Sequence, residues 1–407
     1  MAPMKRARRA CLNLAITASL ALGITAVRAQ GLADACERAG ARYPLAPSLE
    51  ARDAEARARA EVAAGMTPGP AAVSLSALSD RLNRNRGAEK WEIEVGVPLW
   101  LPGQQAARQA HARSAVADVN AQEAALRLLV ARDVRATWWA LAAARNARDL
   151  ALRRVTTART LESDVLRRFE AGELARTDAN LARNERLAAE AEAVDAQTAV
   201  LGAEAKYRTL TGIEPPSVLT AENRAPGAAS LLNHPERHAA ATAADLARAA
   251  LLVATRSDRE APKLAVRMER DRGDGAEPFS NAIGLKVTIP FSSGAQVRQQ
   301  IAAALADASR ADAALALTDA RLAIEVERAR AALEAAERQL ATAQRRRELT
   351  AENLQLIERS FALGESDLTT LLRVRATALE AEALDARQLV ASDAARSQLY
   401  QALGVLP

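Results

Sequence analysis

The chain has 407 residues, with 55 lysine and arginine residues against 50 aspartate and glutamate, and only 3% of its residues are aromatic. Five of the basic residues and no acid fall within positions 1–29, leaving 50 of each sign in the remainder, so the overall basic excess does not argue for nucleic-acid binding. Two cysteines, Cys11 and Cys36, exclude a disulfide scaffold, and the abundance of alanine, leucine, arginine and glutamate suits long helices better than a compact enzyme core.

Residues 1–29 combine a basic start (Lys5, Arg6, Arg8, Arg9), an apolar run from Cys11 to Val27 and small residues Val27 and Ala29 around Arg28. This layout predicts a secretory signal peptide cut after Ala29. No cysteine follows that site directly, which argues against a lipid anchor. Nothing later approaches the ~20 apolar residues of a spanning helix, so a membrane role must use β-strands.

Next, Pro47 to Ala64 is an alanine-rich helical stretch, and Ala71 opens a weak strand, "AAVSLSALSD". After the polar loop "RLNRNRGAEK", Trp91, Ile93, Val95, Val97 and Leu99 alternate with Glu92, Glu94, Gly96 and Pro98, giving a strand with one apolar and one polar face. Pro98 ends it, and Gly103 opens a proline- and glycine-free run to Phe169. At 1.5 Å per residue such a helix is ~100 Å long. Gly172 marks its end, and a second helix of about 35 residues starts near Thr177 and closes at Gly212.

The second half repeats this order. After a proline- and glycine-bearing connector over 216–234, Pro235 to Thr255 is the short helix and "KLAVRMERD" from Lys263 the weaker strand, with Leu264, Val266 and Met268 on one face. Ile283, Leu285, Val287 and Ile289 form the alternating strand, Pro290 ends it, and Gly294 precedes a second uninterrupted run from Ala295 to Phe361. Leu322, Val326, Ala329, Leu333, Ala336, Leu340 and Ala343 lie at coiled-coil spacing within that run. Gly364 and a helix from near Thr369 complete the half.

A constant offset of 192 positions relates the halves: Pro98 maps to Pro290, Phe169 to Phe361, Gly172 to Gly364, Glu173 to Glu365 and Gly212 to Gly404. Fixed register over so long a span predicts a duplicated unit of short helix, strand, strand, long helix and helix, the first at 30–215 and the second at 235–407. On strand pattern alone, a sheet packed on a soluble core is the commoner arrangement. If the apolar faces instead meet lipid, four strands are too few to close a barrel, and several chains must share one.

With these residues in hand, the sequence resembles the TolC-type outer membrane factors, the outer membrane efflux protein family. The resemblance rests on the paired strand-to-helix junctions "VGVPLWLPGQQAAR" and "LKVTIPFSSGAQVR" and the paired tips "RRFEAGELARTD" and "RSFALGESDLTTLL". It implies a mainly α fold with a small β part. Four strands per chain enter a trimeric twelve-stranded barrel in the cell outer membrane, continued by an α-helical barrel across the periplasm. Ile93, Val95, Val97, Ile283, Leu285, Val287 and Ile289 then face outer membrane lipid, with Pro98, Gly103, Pro290 and Gly294 at the junctions. The implied partners are a homotrimer's other copies, a periplasmic adaptor at Phe169, Gly172, Glu173, Phe361, Gly364 and Glu365, and an inner-membrane pump of RND type. Asp178 matches the acid that in some members helps hold the periplasmic entrance closed. Ser366 and Asp367 depart from the tips of other members, so no gating salt bridge transfers. The short strands and compact chain are closer to the cobalt-zinc-cadmium efflux branch than to larger drug-efflux members.

An enzyme is not expected. His111, His234 and His238 are the three histidines, and no nucleophile, paired carboxylate or phosphate loop accompanies them. "HPERH" has a four-residue histidine spacing, but Pro235 places His234 at a helix start, a capping rather than a metal position. No cofactor is implied. The competing reading is a periplasmic coiled-coil scaffold or adaptor, which has no need of two strand pairs.

Overall fold

The computed structural model describes residues 31–222, 230–291 and 294–407. The expected signal peptide, the centre of the connector and Ser292 and Ser293 of the second junction lie outside them. In chain order the elements are α1 (Leu32–Arg42), α2 (Ala46–Ala64), β1 (Ala72–Ser79), β2 (Glu89–Pro98), α3 (Gln104–Glu170) and α4 (Arg176–Thr211). A short 3-10 turn (Leu231–Asn233) leads into α5 (Pro235–Arg256), β3 (Lys263–Arg272), β4 (Ser280–Thr288), α6 (Gly294–Ala362) and α7 (Leu368–Ala402).

The two long helices run 67 and 69 residues without interruption, which is ~100 Å each. Both end identically: Gly172 N–H bonds Phe169 O and Glu173 N–H bonds Arg168 O at 2.9 Å, while Gly364 N–H and Glu365 N–H make the same bonds to Phe361 O and Ser360 O. This is a Schellman closure, which needs a left-handed residue after the helix. Gly172 and Gly364 supply it at φ 80° and 78°. The following helices, α4 and α7, fold back along α3 and α6 as two hairpins.

α5 packs against both α3 and α6, α2 packs on α3, and α7 also meets α3, so the second hairpin leans on the first. The expected α6 seam is real: Leu322, Val326, Ala336 and Ala343 are buried, and Ala329, Leu333 and Leu340 are half-buried. One helix escaped the sequence pattern. α1 buries Leu32, Ala35 and Ala39 against Val130, Val134 and Trp138 of α3 and Tyr207 of α4, with the Trp138 and Tyr207 rings 6.2 Å apart.

The four strands make one antiparallel sheet in the order β1-β2-β3-β4, each half contributing a hairpin. β2 ends on Pro98, paired with Lys263. Leu99 donates its N–H to Pro262 O at 2.7 Å, so the missing donor of Pro98 points the other way, toward the side where β1 has already stopped pairing at Gly96. β4 stops earlier than the sequence suggests, at Thr288, so Ile289 and Pro290 lie past the ladder rather than closing it.

Candidate membrane face and hairpin tips

Strand register turns the alternation into two surfaces. Val73, Val95, Val266 and Leu285 form one cross-strand row, and Leu75, Ile93, Met268 and Ile283 the next. Val97, Leu264 and Val287 form a third row on the side toward the helices. All of the strand residues expected to meet lipid lie on this face, Ile289 just beyond it. No element among the described residues covers it: Ile93 and Val95 are 45% and 46% exposed, and Ile283 and Leu285 on the edge strand 75% and 76%. A contiguous apolar surface of this kind marks an interaction site in a folded protein.

The opposite face is polar and neutralises itself. Arg267 lies 3.4 Å from Glu92 and 3.5 Å from Glu269, Lys90 also pairs with Glu269, and Lys286 bonds Glu94 at 3.0 Å. That last pair joins two positions equivalent under the 192 offset. Glu92, Glu94 and Glu269 each keep only 19% side-chain exposure, less than the apolar side chains opposite. The arrangement inverts that of a soluble sheet. The outer edges of β1 and β4 have no strand partner among the described residues.

The loops at the far end of the sheet are tied down. The Asp80 carboxylate accepts the backbone N–H groups of Arg86, Gly87 and Ala88 at 2.8, 3.2 and 3.1 Å. The β3–β4 loop docks on this one through Gly275 N–H to Arg86 O at 2.8 Å. A Cβ on Gly87 would stand 2.8 Å from the Gly275 backbone, so only glycine allows that approach.

At the opposite pole, the two hairpin tips share a core of Leu161, Val165, Ala179, Ala182, Phe361, Leu368 and Leu371. Here the two tip aromatics part ways. Phe361 is 8% exposed, with the Arg168 guanidinium 4.9 Å from its ring centre and donating to its carbonyl at 3.2 Å. Phe361 therefore packs between the hairpins, whereas the partner contact expected of it calls for an exposed side chain. Phe169, at 37%, faces outward, and Gly172, Glu173, Gly364 and Glu365 are exposed. A Cβ placed on Gly172 or Gly364 would meet no described heavy atom within 4 Å beyond its immediate chain neighbours, so the space outside both turns is open.

Asp178 is half-buried and accepts the Ala175 N–H at 3.1 Å, a helix-start contact. The second tip does the same job from a different place, since Asp367 accepts the Thr370 N–H at 2.6 Å. That backbone bond holds the Asp367 carboxyl below its ordinary value. The carboxylates sit at the positive ends of helix dipoles.

Near mid-length the structure holds a site that the sequence did not signal. Arg135 forks onto Glu222 of the connector through Nε–Oε1 at 3.0 Å and Nη2–Oε2 at 2.8 Å, and donates to Gln401 Oε1 at 2.6 Å and Val405 O at 3.0 Å. Ser397 donates to the same carboxylate. His234, 1% exposed, accepts the Glu236 N–H on Nδ1 at 3.2 Å and so caps α5. Among the described residues no group of three potential metal ligands converges, and no helix is long and apolar enough to cross a membrane.

No family model and no curated protein sequence matches the chain. Solved structures do. The outer membrane protein VceC of Vibrio cholerae aligns at TM-score 0.76 and 17% identity, covering 92% of this chain and 96% of VceC. CusC, studied for folding and transmembrane channel formation, aligns at 0.78 and 14% identity, covering 92% of each chain. The open-state outer membrane channel MtrE of Neisseria gonorrhoeae aligns at 0.73 and 17%, covering 92% and 89%. The chain thus has the fold of these outer membrane channels over nearly all its length.

Proposed function

We propose that the protein is an outer membrane channel-tunnel, a passive conduit for export in a tripartite efflux system. The observation that carries this reading is the inverted sheet: three apolar rows on one side, the two outer ones exposed, and a salt-bridged polar surface on the other. Outer-membrane strands have this polarity, with lipid outside and water inside. The two unpartnered sheet edges cannot remain open in lipid, so three copies contribute four strands each to a closed twelve-stranded barrel. A periplasmic scaffold gains nothing from such a face and stands as the weaker reading.

The duplication supports the same assembly. Within the chain, α7 of the second hairpin leans on α3 through pairs such as Arg153–Glu382, 3.2 Å apart. Shifted by 192, that pair becomes Arg345 and Glu190, on helices α6 and α4. Arg345 has no acidic partner among the described residues, and Leu187, Val194, Leu317, Leu349 and Leu356 on the same two helices are more than half exposed. In the trimer α4 of one copy meets α6 of the next, repeating the internal contact. Phe169, Gly172, Glu173, Gly364 and Glu365 then form the ring of tips offered to a periplasmic adaptor linked to an RND-type inner-membrane pump, with Asp178 beside the entrance.

Fractionation tests the reading. The protein should pellet with outer membranes and need detergent for release, and a short bis-maleimide should cross-link the E190C/R345C variant into trimers. Recovery as a soluble periplasmic monomer would refute the channel. Val266→Arg, in the centre of the apolar face, should block insertion at a cost of about 2–4 kcal/mol per copy.

A further inference from the structure

The apolar face ends differently at its two poles. Toward the helices it finishes on Leu99, Ile289 and Phe291, with Phe291 94% exposed, and the strand residues of this face nearest that end, Val97, Leu264 and Val287, are all apolar. At the far pole the same face continues from Met268 to Arg270, paired with Trp91 and Asn281, and then to Arg272, paired with Glu89. From Asn281 to Phe291 is ten residues, roughly 33 Å of extended chain and ~25 Å after a barrel strand's tilt, close to the height of an outer-membrane apolar band. Arg270 therefore sits where that band meets its outer boundary.

Both arginines are held in place. Their guanidinium carbons lie 4.4 and 4.6 Å from the ring centre of Phe279. Arg272 has a carboxylate neighbour in Glu89 at 3.2 Å, while its Nε is buried without an acceptor. Arg270 is exposed and has no acidic partner among the described residues. The acids of the following loop are engaged elsewhere, Asp274 with the Ala276 N–H and Glu277 with the Gly273 N–H, both at 3.1 Å. Trp91, 49% exposed beside Arg270, completes a pairing of aromatic and cationic groups typical of a membrane–water boundary.

We propose that Arg270 and Arg272, stacked on Phe279 and flanked by Trp91, bind the phosphate groups of lipid in the outer leaflet. The proposal rests on the channel reading above, which places this pole outside the cell. A guanidinium fork matches phosphate oxygens bidentately, and the ring pre-orients it. Among the strand residues of this face arginine occurs at this pole alone, and that asymmetry selects the leaflet.

The test is flotation of purified protein on vesicles of phosphate-free galactolipid, with and without an added bisphosphorylated acyl-disaccharide. Wild type and R270Q/R272Q should both float on the phosphate-free vesicles, which checks the membrane reading and the variant's fold together. The phosphorylated lipid should strengthen wild-type binding, and the variant should lose about fivefold per arginine, roughly 25-fold for the pair. R270K/R272K should retain the charge-dependent part. Equal response of wild type and R270Q/R272Q to the phosphorylated lipid would overturn the proposal. So would its abolition by millimolar inorganic phosphate, which would mark a site for the free ion. If wild type floats on neither vesicle, the channel reading falls and the proposal with it.

Discussion

Replacing Glu222 by alanine should unfasten the junction between the two halves. Glu222 takes both forks of Arg135, whose side chain is 4% exposed, and the carboxylate itself is 9% exposed. Without it, Arg135 keeps Gln401 and Val405 as neutral acceptors but has a buried charge with no counter-ion. Breaking a buried pair from one side costs about 3–5 kcal/mol. With a urea dependence of ~3 kcal/mol per molar, the midpoint should fall by about 1–1.7 M. Circular dichroism during urea titration of the detergent-solubilised protein measures this. Removing both charges as Arg135→Met with Glu222→Leu should recover most of the loss, because the cost belongs to the orphaned charge and not to the missing attraction. A shift below ~0.3 M for Glu222→Ala, or a double variant no better than the single, would refute the reasoning.

Phe361→Ala should destabilise the joined tips by about 3–5 kcal/mol, as emptying a buried aromatic site does, whereas Phe169→Ala should cost under ~1 kcal/mol; matched denaturation midpoints compare them. Burial pulls the His234 imidazole below its ordinary pKa. Its contribution to stability is therefore complete above about pH 6.5 and is lost as pH falls from there through its lower native value, with a slope of at most ~1.4 kcal/mol per pH unit. His234→Asn, which can still cap α5, should remove that part of the acid dependence of the urea midpoint. Burial also pushes the Cys36 thiol up to about 12, with Arg135 only partly opposing it. Iodoacetamide should label it at pH 8 about a thousandfold more slowly in the native protein than in urea, as followed by mass spectrometry.

Much of the architecture was legible because its signals are local. Left-handed glycines at Gly172 and Gly364, the alternation from Trp91 to Val97, and the three-four spacing from Leu322 to Ala343 each act within a few residues of chain. Their recurrence at a fixed offset disclosed the duplication. α1 was not legible, since an eleven-residue helix with alanines on its buried face looks like any other polar stretch until Trp138 and Tyr207 are placed beneath it.

The sequence by itself determined the order of elements, the two-faced strands and the equivalence of the halves, because backbone conformation and side-chain period depend on near neighbours. Tertiary structure alone decided where equivalent residues cease to be equivalent. Phe169 and Phe361 occupy the same place in their repeats, yet a chain with two hairpins has one internal junction, and it buries Phe361 while leaving Phe169 outside. Likewise Arg135, Glu222 and Gln401 are 87 and 266 positions apart along the chain. Only the packing of two helices and a connector brings them within hydrogen-bond reach, and no periodicity encodes that meeting.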